Sequence, residues 1–338
     1  MRKRMMQQAL AVALFCSALA LSGWHIMDKT PVDVDGDAQD TDVLEEADRA
    51  EMDMGQTTLE EEFVSVHIPG LKHSYRFIFV SDLHVIVEND EISPDKLENV
   101  HTRRESFRTA EGIYSAQLWE EMLEIFNAMD ADAILLGGDM IDYASTANIG
   151  IVKEGIEKLD APVLYVRADH DYNPYNCDGL DKKDMKTLHQ SIDGYEGVSL
   201  MEFEDLCIVG LNDSTKQIKK KQLRRFKEIA TLGKPIILLT HVPLESRLDT
   251  SLAEESKKVW QDRVLLWGEN DYYEPNETTQ VFLDMVYADD SPVKAVVCGH
   301  LHFSWEGKIT EHCLQHVFPE MYSGRYGIIT VDGQADAD

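Results

Sequence analysis

Positive charge is scarce in this chain. Lys and Arg number 32 against 62 Asp and Glu in 338 residues, a formal net charge of −30. A nucleic-acid backbone is bound through a basic stripe, so the charge balance argues against nucleic acid as the main partner, and none is expected. Cysteine is also rare. There are five, none in a C-x-x-C pair, so neither the paired-thiol zinc pattern nor the redox dithiol is present. Cys207 and Cys298 lie in apolar, strand-like runs and read as small core residues. Any disulfide among Cys177, Cys207, Cys298 and Cys313 is left open by spacing alone. There is no internal repeat. The length suits one large domain or two modest ones.

The acidic excess is uneven. Asp28 to Glu62 holds fourteen Asp and Glu against only Lys29 and Arg49. With few large apolar residues, such a stretch cannot bury enough surface to offset its chain entropy. Residues 27–62 are therefore expected to form an acidic, disordered linker. Asp33, Asp35 and Asp37 hint at a calcium loop, but Ala38 stands where glycine is needed and Leu44 where the bidentate Glu belongs. Ahead of the linker, Arg2, Lys3 and Arg4 form a basic start, Ala9 to Trp24 is apolar, and Ala18-Leu19-Ala20 offers a small-x-small cleavage site. The apolar run is shorter than the roughly 20 residues of a membrane span. Residues 1–26 read as a signal peptide, with an N-terminal membrane anchor as the other reading. In both cases the bulk of the chain is expected to be exported, secreted or membrane-anchored, and extracytoplasmic. The N-terminus is then the route to any membrane association, and no partner protein is implied.

Globular order is expected over residues 63–333. Strands are expected at Phe63 to Ile68, Arg76 to Ser81, Ala133 to Leu136, Val163 to Val166, Val198 to Glu202, Leu206 to Leu211, Pro235 to Leu239, Val293 to Val297 and Tyr326 to Val331. Helices are expected at Ser115 to Met129, Gly155 to Leu159, Gln217 to Ile229 and Thr278 to Val286. Val85 to Tyr114 and Leu244 to Glu277 read as long excursions, which in compact domains are usually functional. Strands alternating with helices indicate an α/β protein with a mixed sheet or two packed sheets.

What the chain does have is a set of His- and Asp-rich segments, each after an apolar run. They are Asp82-Leu83-His84, Gly137-Gly138-Asp139-Met140-Ile141-Asp142, Asp169-His170-Asp171, Thr240-His241 and Gly299-His300-Leu301-His302. Side chains at the carboxyl ends of neighbouring strands converge in one crevice. Imidazoles and carboxylates together suit divalent transition metals. An Asp-x-His pair alone is a weak signal, and a surface polar pair would be the ordinary reading. Five such elements in order, each at a strand end, are hard to explain as satisfied core histidines. His67, His73, His101, His189, His312 and His316 lack ligand spacing and read as structural or surface residues.

In block order these segments resemble the calcineurin-like metallophosphoesterases, over roughly Phe63 to Val331. The resemblance implies a four-layer α/β/β/α sandwich, two mixed β-sheets flanked by helices. It also implies two divalent or mixed-valence metal ions (Mn, Fe or Zn). One ion would be held by Asp82, His84 and His302, the other by Asp169, His241 and His300, with Asp139 between them. A hydroxide bridging the ions would attack a phosphomonoester or phosphodiester in line. His170 would protonate the leaving oxygen or stabilise the transition state, and Asp142 would orient it. The substrate class is thus a small phosphorylated molecule. A non-catalytic envelope protein binding phosphorylated ligands is the alternative, against which the presence of His170 and Asp142 argues.

The departure is Asp169, where the family pattern has Asn. It adds one negative charge to the ligand set, which would tighten metal binding or favour a more highly charged ion, or weaken attraction for an anionic substrate; a degraded second site is the third reading, against which the presence of His241 and His300 argues. Arg103, Arg104 and Arg108 lie in the first excursion, either over the site or on the surface beside Glu105 and Glu111. Tyr143, Tyr172 and Tyr175 follow the motifs and are candidates to line the pocket. Lys216, Lys219, Lys220, Lys221, Arg224, Arg225 and Lys227 form a basic run, read as a solvated helix face, with contact to anionic lipid as the sharper alternative.

Overall fold

The computed structural model describes residues 58–177, 189, 192, 197–268, 270 and 272–333. The leader and nearly all of the linker expected above lie outside the described residues. In order, the first half runs β1 (Glu60–His67), β2 (Tyr75–Val80), α1 (Leu97–Ser106), α2 (Ser115–Ala128), β3 (Ala133–Leu136), α3 (Thr146–Lys158), β4 (Val163–Tyr165) and α4 (Asp169–Tyr172). The second half runs β5 (Val198–Glu202), β6 (Cys207–Leu211), α5 (Lys220–Ala230), β7 (Ile236–Leu239), α6 (Ser251–Val259), α7 (Glu277–Tyr287), β8 (Val293–Cys298), β9 (Trp305–Thr310), β10 (Cys313–Val317) and β11 (Arg325–Asp332).

The strands form two mixed sheets. The first is ordered β1-β11-β2-β3-β4 and the second β5-β6-β7-β8-β10-β9. Within the first, β2, β3 and β4 run parallel and β11 lies antiparallel to β2. Within the second, β6, β7, β8 and β10 run parallel, with β5 and β9 antiparallel at the edges. The parallel strands are apolar on both faces, as buried parallel sheets require. Phe77 and Phe79 face Ile208, Ile237, Leu239, Ala295 and Val297 in the core between the sheets. Ile78 and Val80, one residue out of step, face Leu118, Trp119, Met122 and Phe126 of α2 and Ile149 and Val152 of α3. On the far side Val209, Leu238 and Val296 meet Phe226 and Ile229 of α5 and Phe282, Leu283 and Val286 of α7. The alternation of period two thus sends successive residues of one strand into different layers. The result is the helix–sheet–sheet–helix order expected from the resemblance.

The departures have local causes. β1 begins at Glu60, not Phe63, because it pairs with β11 along its whole length, from Glu60↔Arg325 to His67↔Asp332. Its acidic residues are paired: Tyr326 Oη donates to Glu61 at 2.6 Å, and His316 Nε2 lies 2.6 Å from Glu62. Phe63, which would have opened the strand, points to solvent. The helix expected to include Gly155 to Leu159 is α3, which starts at Thr146, where Ser145 Oγ accepts from the Asn148 amide at 3.0 Å as an N-cap. Both excursions contain helices, α1 and α6. Cys177, Cys207, Cys298 and Cys313 are all free thiols.

Candidate metal centre

Five parallel strands end at one edge of the two sheets, and each hands a segment to the crevice there. β2 delivers Asp82 and His84, β3 delivers Asp139 and Asp142, β4 delivers Asp169 and His170, β7 delivers His241, and β8 delivers His300 and His302. The turns after β2, β3 and β8 are left-handed at non-glycine residues: Asp82 (φ 54°), His84 (φ 51°), Asp139 (φ 50°), His300 (φ 75°) and His302 (φ 54°). L-residues visit this region rarely and at a cost, and such strain gathers at functional sites. Backbone bonds between the turns hold it. The Asp82 amide donates to Gly138 O and the His84 amide to Asp139 O, both at 3.0 Å. The His300 amide donates to Asp82 Oδ2 at 2.9 Å, tying the two sheets together at the site.

The side chains then group. Asp82, His84 and His302 offer ligand atoms within 4.8 Å of one another, as expected for one ion. Asp82, Asp139 and His241 form a second such group, and Asp139, Asp169 and His170 a third. Asp82 is therefore shared between clusters as Asp139 is. His241 Nε2 lies 3.1 Å from Asp139 Oδ2 and 3.9 Å from Asp82 Oδ1. Gly137 O accepts from His241 Nδ1 at 2.9 Å, which leaves Nε2 as the atom turned to a ligand. His300 does not join Asp169 and His241 as a compact ligand triplet. Its Nδ1 stands 3.2 Å from His241 Nε2, and its Nε2 bonds to Tyr273 Oη at 2.9 Å. Asp169 is drawn outward, with Oδ2 3.4 Å from Lys216 Nζ.

The residues present fit metal ions. His84 Nε2 and Asp139 Oδ1 are buried and meet no hydrogen-bond partner among the described residues. Buried polar atoms are seldom left so. Two imidazole nitrogens face each other across the site, and carboxylates crowd the remaining side. The oxygen and nitrogen donors gathered there suit divalent transition metals. The electrostatics follow from the crowding. Burial alone would raise the Asp82 carboxyl, but His241 and His302 hold it well below the usual carboxylate range. Burial and the neighbouring His241 push the His300 imidazole down to about 3. Burial would lower His241 too, yet the Asp139 and Asp82 carboxylates carry it well above the ordinary imidazole value.

A family model described as calcineurin-like phosphoesterase matches residues 75–304, a stretch that runs from β2 to just beyond His302. The chain belongs to that family. It is a metal-dependent phosphoester hydrolase by that membership. No curated protein matches it. Its structure is similar to that of a dimetal phosphatase from Danio rerio, with 11% identity and a TM-score of 0.48 over 74% of this chain and 88% of the other. It is also similar to a purple acid phosphatase from yellow lupin (Lupinus luteus) seeds, with 10% identity and a TM-score of 0.43 over 77% of this chain and 45% of the other.

Around the candidate ligand residues of this phosphoesterase stands a set of holding groups. Asp142 is fully buried. Arg103 Nε donates to its Oδ2 at 2.6 Å, Arg103 Nη2 pairs with its Oδ1, and Tyr175 Oη donates to Oδ2 at 2.6 Å. The carboxylate faces His84 Nδ1 at 3.3 Å and His170 Nδ1 at 3.5 Å. The closer tie from His170 goes to the Asp142 carbonyl, at 2.6 Å. Asp142 thus holds His170 mainly through its backbone, because Arg103 and Tyr175 occupy the carboxylate. Arg103 is consumed in this pairing and does not reach over the site; Arg104 pairs with Glu88 and Arg108 with Glu105 at the surface. Tyr143 is fully buried and does not line a pocket.

Two carboxylates to which the motif pattern gives no role also hold the site. Asp171 accepts from the amides of Ala168 (2.8 Å), Asp139 (3.0 Å) and Ile141 (3.3 Å) and from Tyr165 Oη (2.7 Å), fastening the loop after β4 to the loop after β3. Asp213 accepts from the amides of His241 (3.0 Å) and Val242 (2.8 Å), and burial pushes its carboxyl up to about 7. The signal for Asp213 was present. It follows the apolar run of β6 as Asp82 follows that of β2, but its segment, Asn212-Asp213-Ser214, contains no histidine.

Proposed function

We propose that this chain hydrolyses a phosphomonoester or phosphodiester outside the cytoplasm, at a centre of two metal ions. Asp82, His84 and His302 would hold one ion. Asp139 and His241 would serve the second, with His300 and Asp169 completing it from the rim. When bound, such ions supply Lewis acidity, neutralise phosphoryl charge and bring the pKa of water near neutrality. The observation that carries the reading is the pair of buried, unpartnered ligand atoms, His84 Nε2 and Asp139 Oδ1, inside a ring of strained turns.

The chain's own residues do the rest. His170 Nδ1 is tethered to the Asp142 carbonyl. A carbonyl accepts only, so Nδ1 carries a proton and Nε2 is the atom left to give one to a leaving oxygen. Asp142 and Arg103 keep the imidazoles of His84 and His170 in register. The extracytoplasmic location rests on the basic start, the apolar run Ala9 to Trp24 and the small-x-small site Ala18-Leu19-Ala20 within it. No helix among the described residues is long and apolar enough to cross a membrane.

Metal analysis of the purified protein, paired with turnover of generic aryl mono- and diesters after manganese loading, tests the reading. His170→Ala is expected to keep its metal and lose on the order of 10²–10⁴-fold in kcat. A fully metallated protein with no turnover on either ester would reject hydrolysis and leave a phosphate-binding role.

A further inference from the structure

Outside the ligand motifs, three described non-glycine residues have left-handed φ, and one of them stands at the site: Lys216, at φ 58°. Its backbone is fastened on both sides. The Lys216 amide donates to Asp213 O at 2.6 Å, and the indole of the buried Trp267 donates to Lys216 O at 3.2 Å. Asp213 is the same residue whose carboxylate takes the His241 and Val242 amides. The root of Lys216 is therefore fixed to the element that fixes His241, at a backbone conformation glycine would adopt more readily.

The head of this side chain is free by comparison, with 44% of it exposed. Its ammonium lies 3.4 Å from Asp169 Oδ2 and 5.1 Å from the ring centre of Tyr273, whose hydroxyl bonds His300. It thus stands at the rim between two residues assigned to the metal centre. Exposed ion pairs are weak and easily exchanged. A chain with a net charge of −30 repels anions as a whole, so a cation at the mouth would favour the approach of a phosphorylated substrate. The arginines of the first excursion are engaged with Asp142, Glu88 and Glu105.

We propose that Lys216 is a substrate-binding residue: its ammonium rests on Asp169 and transfers to a non-bridging oxygen of the substrate phosphoryl group when Asp169 turns to metal. The assignment rests on the phosphoesterase reading above. No covalent step is involved; one carboxylate–ammonium contact is exchanged for an ammonium–phosphoryl contact.

The test uses inorganic phosphate as the probe, with calorimetry on manganese-loaded protein, metal content and steady-state kinetics measured side by side. Lys216→Met is expected to weaken phosphate binding and raise KM, each on the order of tenfold, with kcat changed less and metal content intact. Lys216→Gly relieves the left-handed strain, so it guards against a folding failure and should give the same loss. Lys216→Arg should recover most of the binding. Unchanged phosphate affinity in both Lys216→Met and Lys216→Gly overturns the proposal. Loss of metal in parallel with loss of phosphate also overturns it, because Lys216 would then act only by positioning Asp169. If metallated wild type neither turns over esters nor binds phosphate, the phosphoesterase reading itself fails and this inference with it.

Discussion

Five candidate ligands hold φ values between 50° and 75°, where side chains other than glycine seldom sit. Such a residue costs of order 1–2 kcal/mol, and the site carries five of them in three turns. They persist because Asp82 is held from both sheets, by the His300 amide and by Ser81 Oγ at 2.7 Å. The other concentrated cost is the buried Asp142. Burial would raise its carboxyl, and the Arg103 guanidinium instead holds it far below the usual range. Removing one partner of such a pair leaves a bare buried charge. Arg103→Met is expected to destabilise the fold by about 3–5 kcal/mol and to lower turnover through His84 and His170. Adding Asp142→Asn should restore part of the stability, since the orphaned charge is then gone. Urea unfolding of the two variants checks this, and a double variant no more stable than Arg103→Met would refute it.

Among the elements, those that carry the candidate ligands were the most legible. Each sits between an apolar strand and a polar turn, and the strand must be apolar on both faces because it lies in a parallel sheet between layers. The turn after β3 is tight for a reason visible only in space. Gly138 has φ 95°, and a Cβ there would stand 2.8 Å from His241 Nδ1. Gly138→Ala should therefore shift His241 and reduce metal content while leaving the cores between the layers intact. Metal analysis beside far-ultraviolet circular dichroism checks it, and full metal content would count against the assignment of His241. The helices in the two excursions were harder to read. α1 buries only Val100 and Arg103, so it shows no apolar stripe, and its purpose is to bring Arg103 to Asp142. The strands β9 and β10 form an edge hairpin. In β9, Glu306 and Lys308 are exposed and alternate with Trp305, Gly307 and Ile309, but the strand is short and a glycine stands at its middle, so the period of two is faint in the sequence.

For the whole molecule, pH stability depends in part on a buried histidine outside the candidate ligand set. His189 is buried, with Nε2 2.7 Å from the Asp171 carbonyl and Nδ1 2.9 Å from Arg167 Nε. Burial and the Arg167 guanidinium push its imidazole down from 6.5 to about 3. The folded chain keeps it neutral, whereas the unfolded chain takes a proton below 6.5. Its contribution is whole above that pH and is lost as pH falls toward 3, at up to about 1.4 kcal/mol per pH unit. The urea midpoint of chelated protein should therefore fall more steeply between pH 6.5 and 4 than that of a His189→Gln variant. Parallel curves would show that His189 does not titrate as stated.

The order of the His and Asp segments, the strands that deliver them and the layered α/β class were set by the sequence alone. A metal motif needs particular residue types at a strand end, and a buried strand needs an uninterrupted apolar run; both are local demands. Other features were decided only by the tertiary structure. Asp82 shares two ligand clusters, Arg103 closes on Asp142 across 39 residues of chain, and Lys216 meets Asp169. These depend on which loops cross at the sheet edge, and no local period or spacing encodes a contact between charges carried on separate loops.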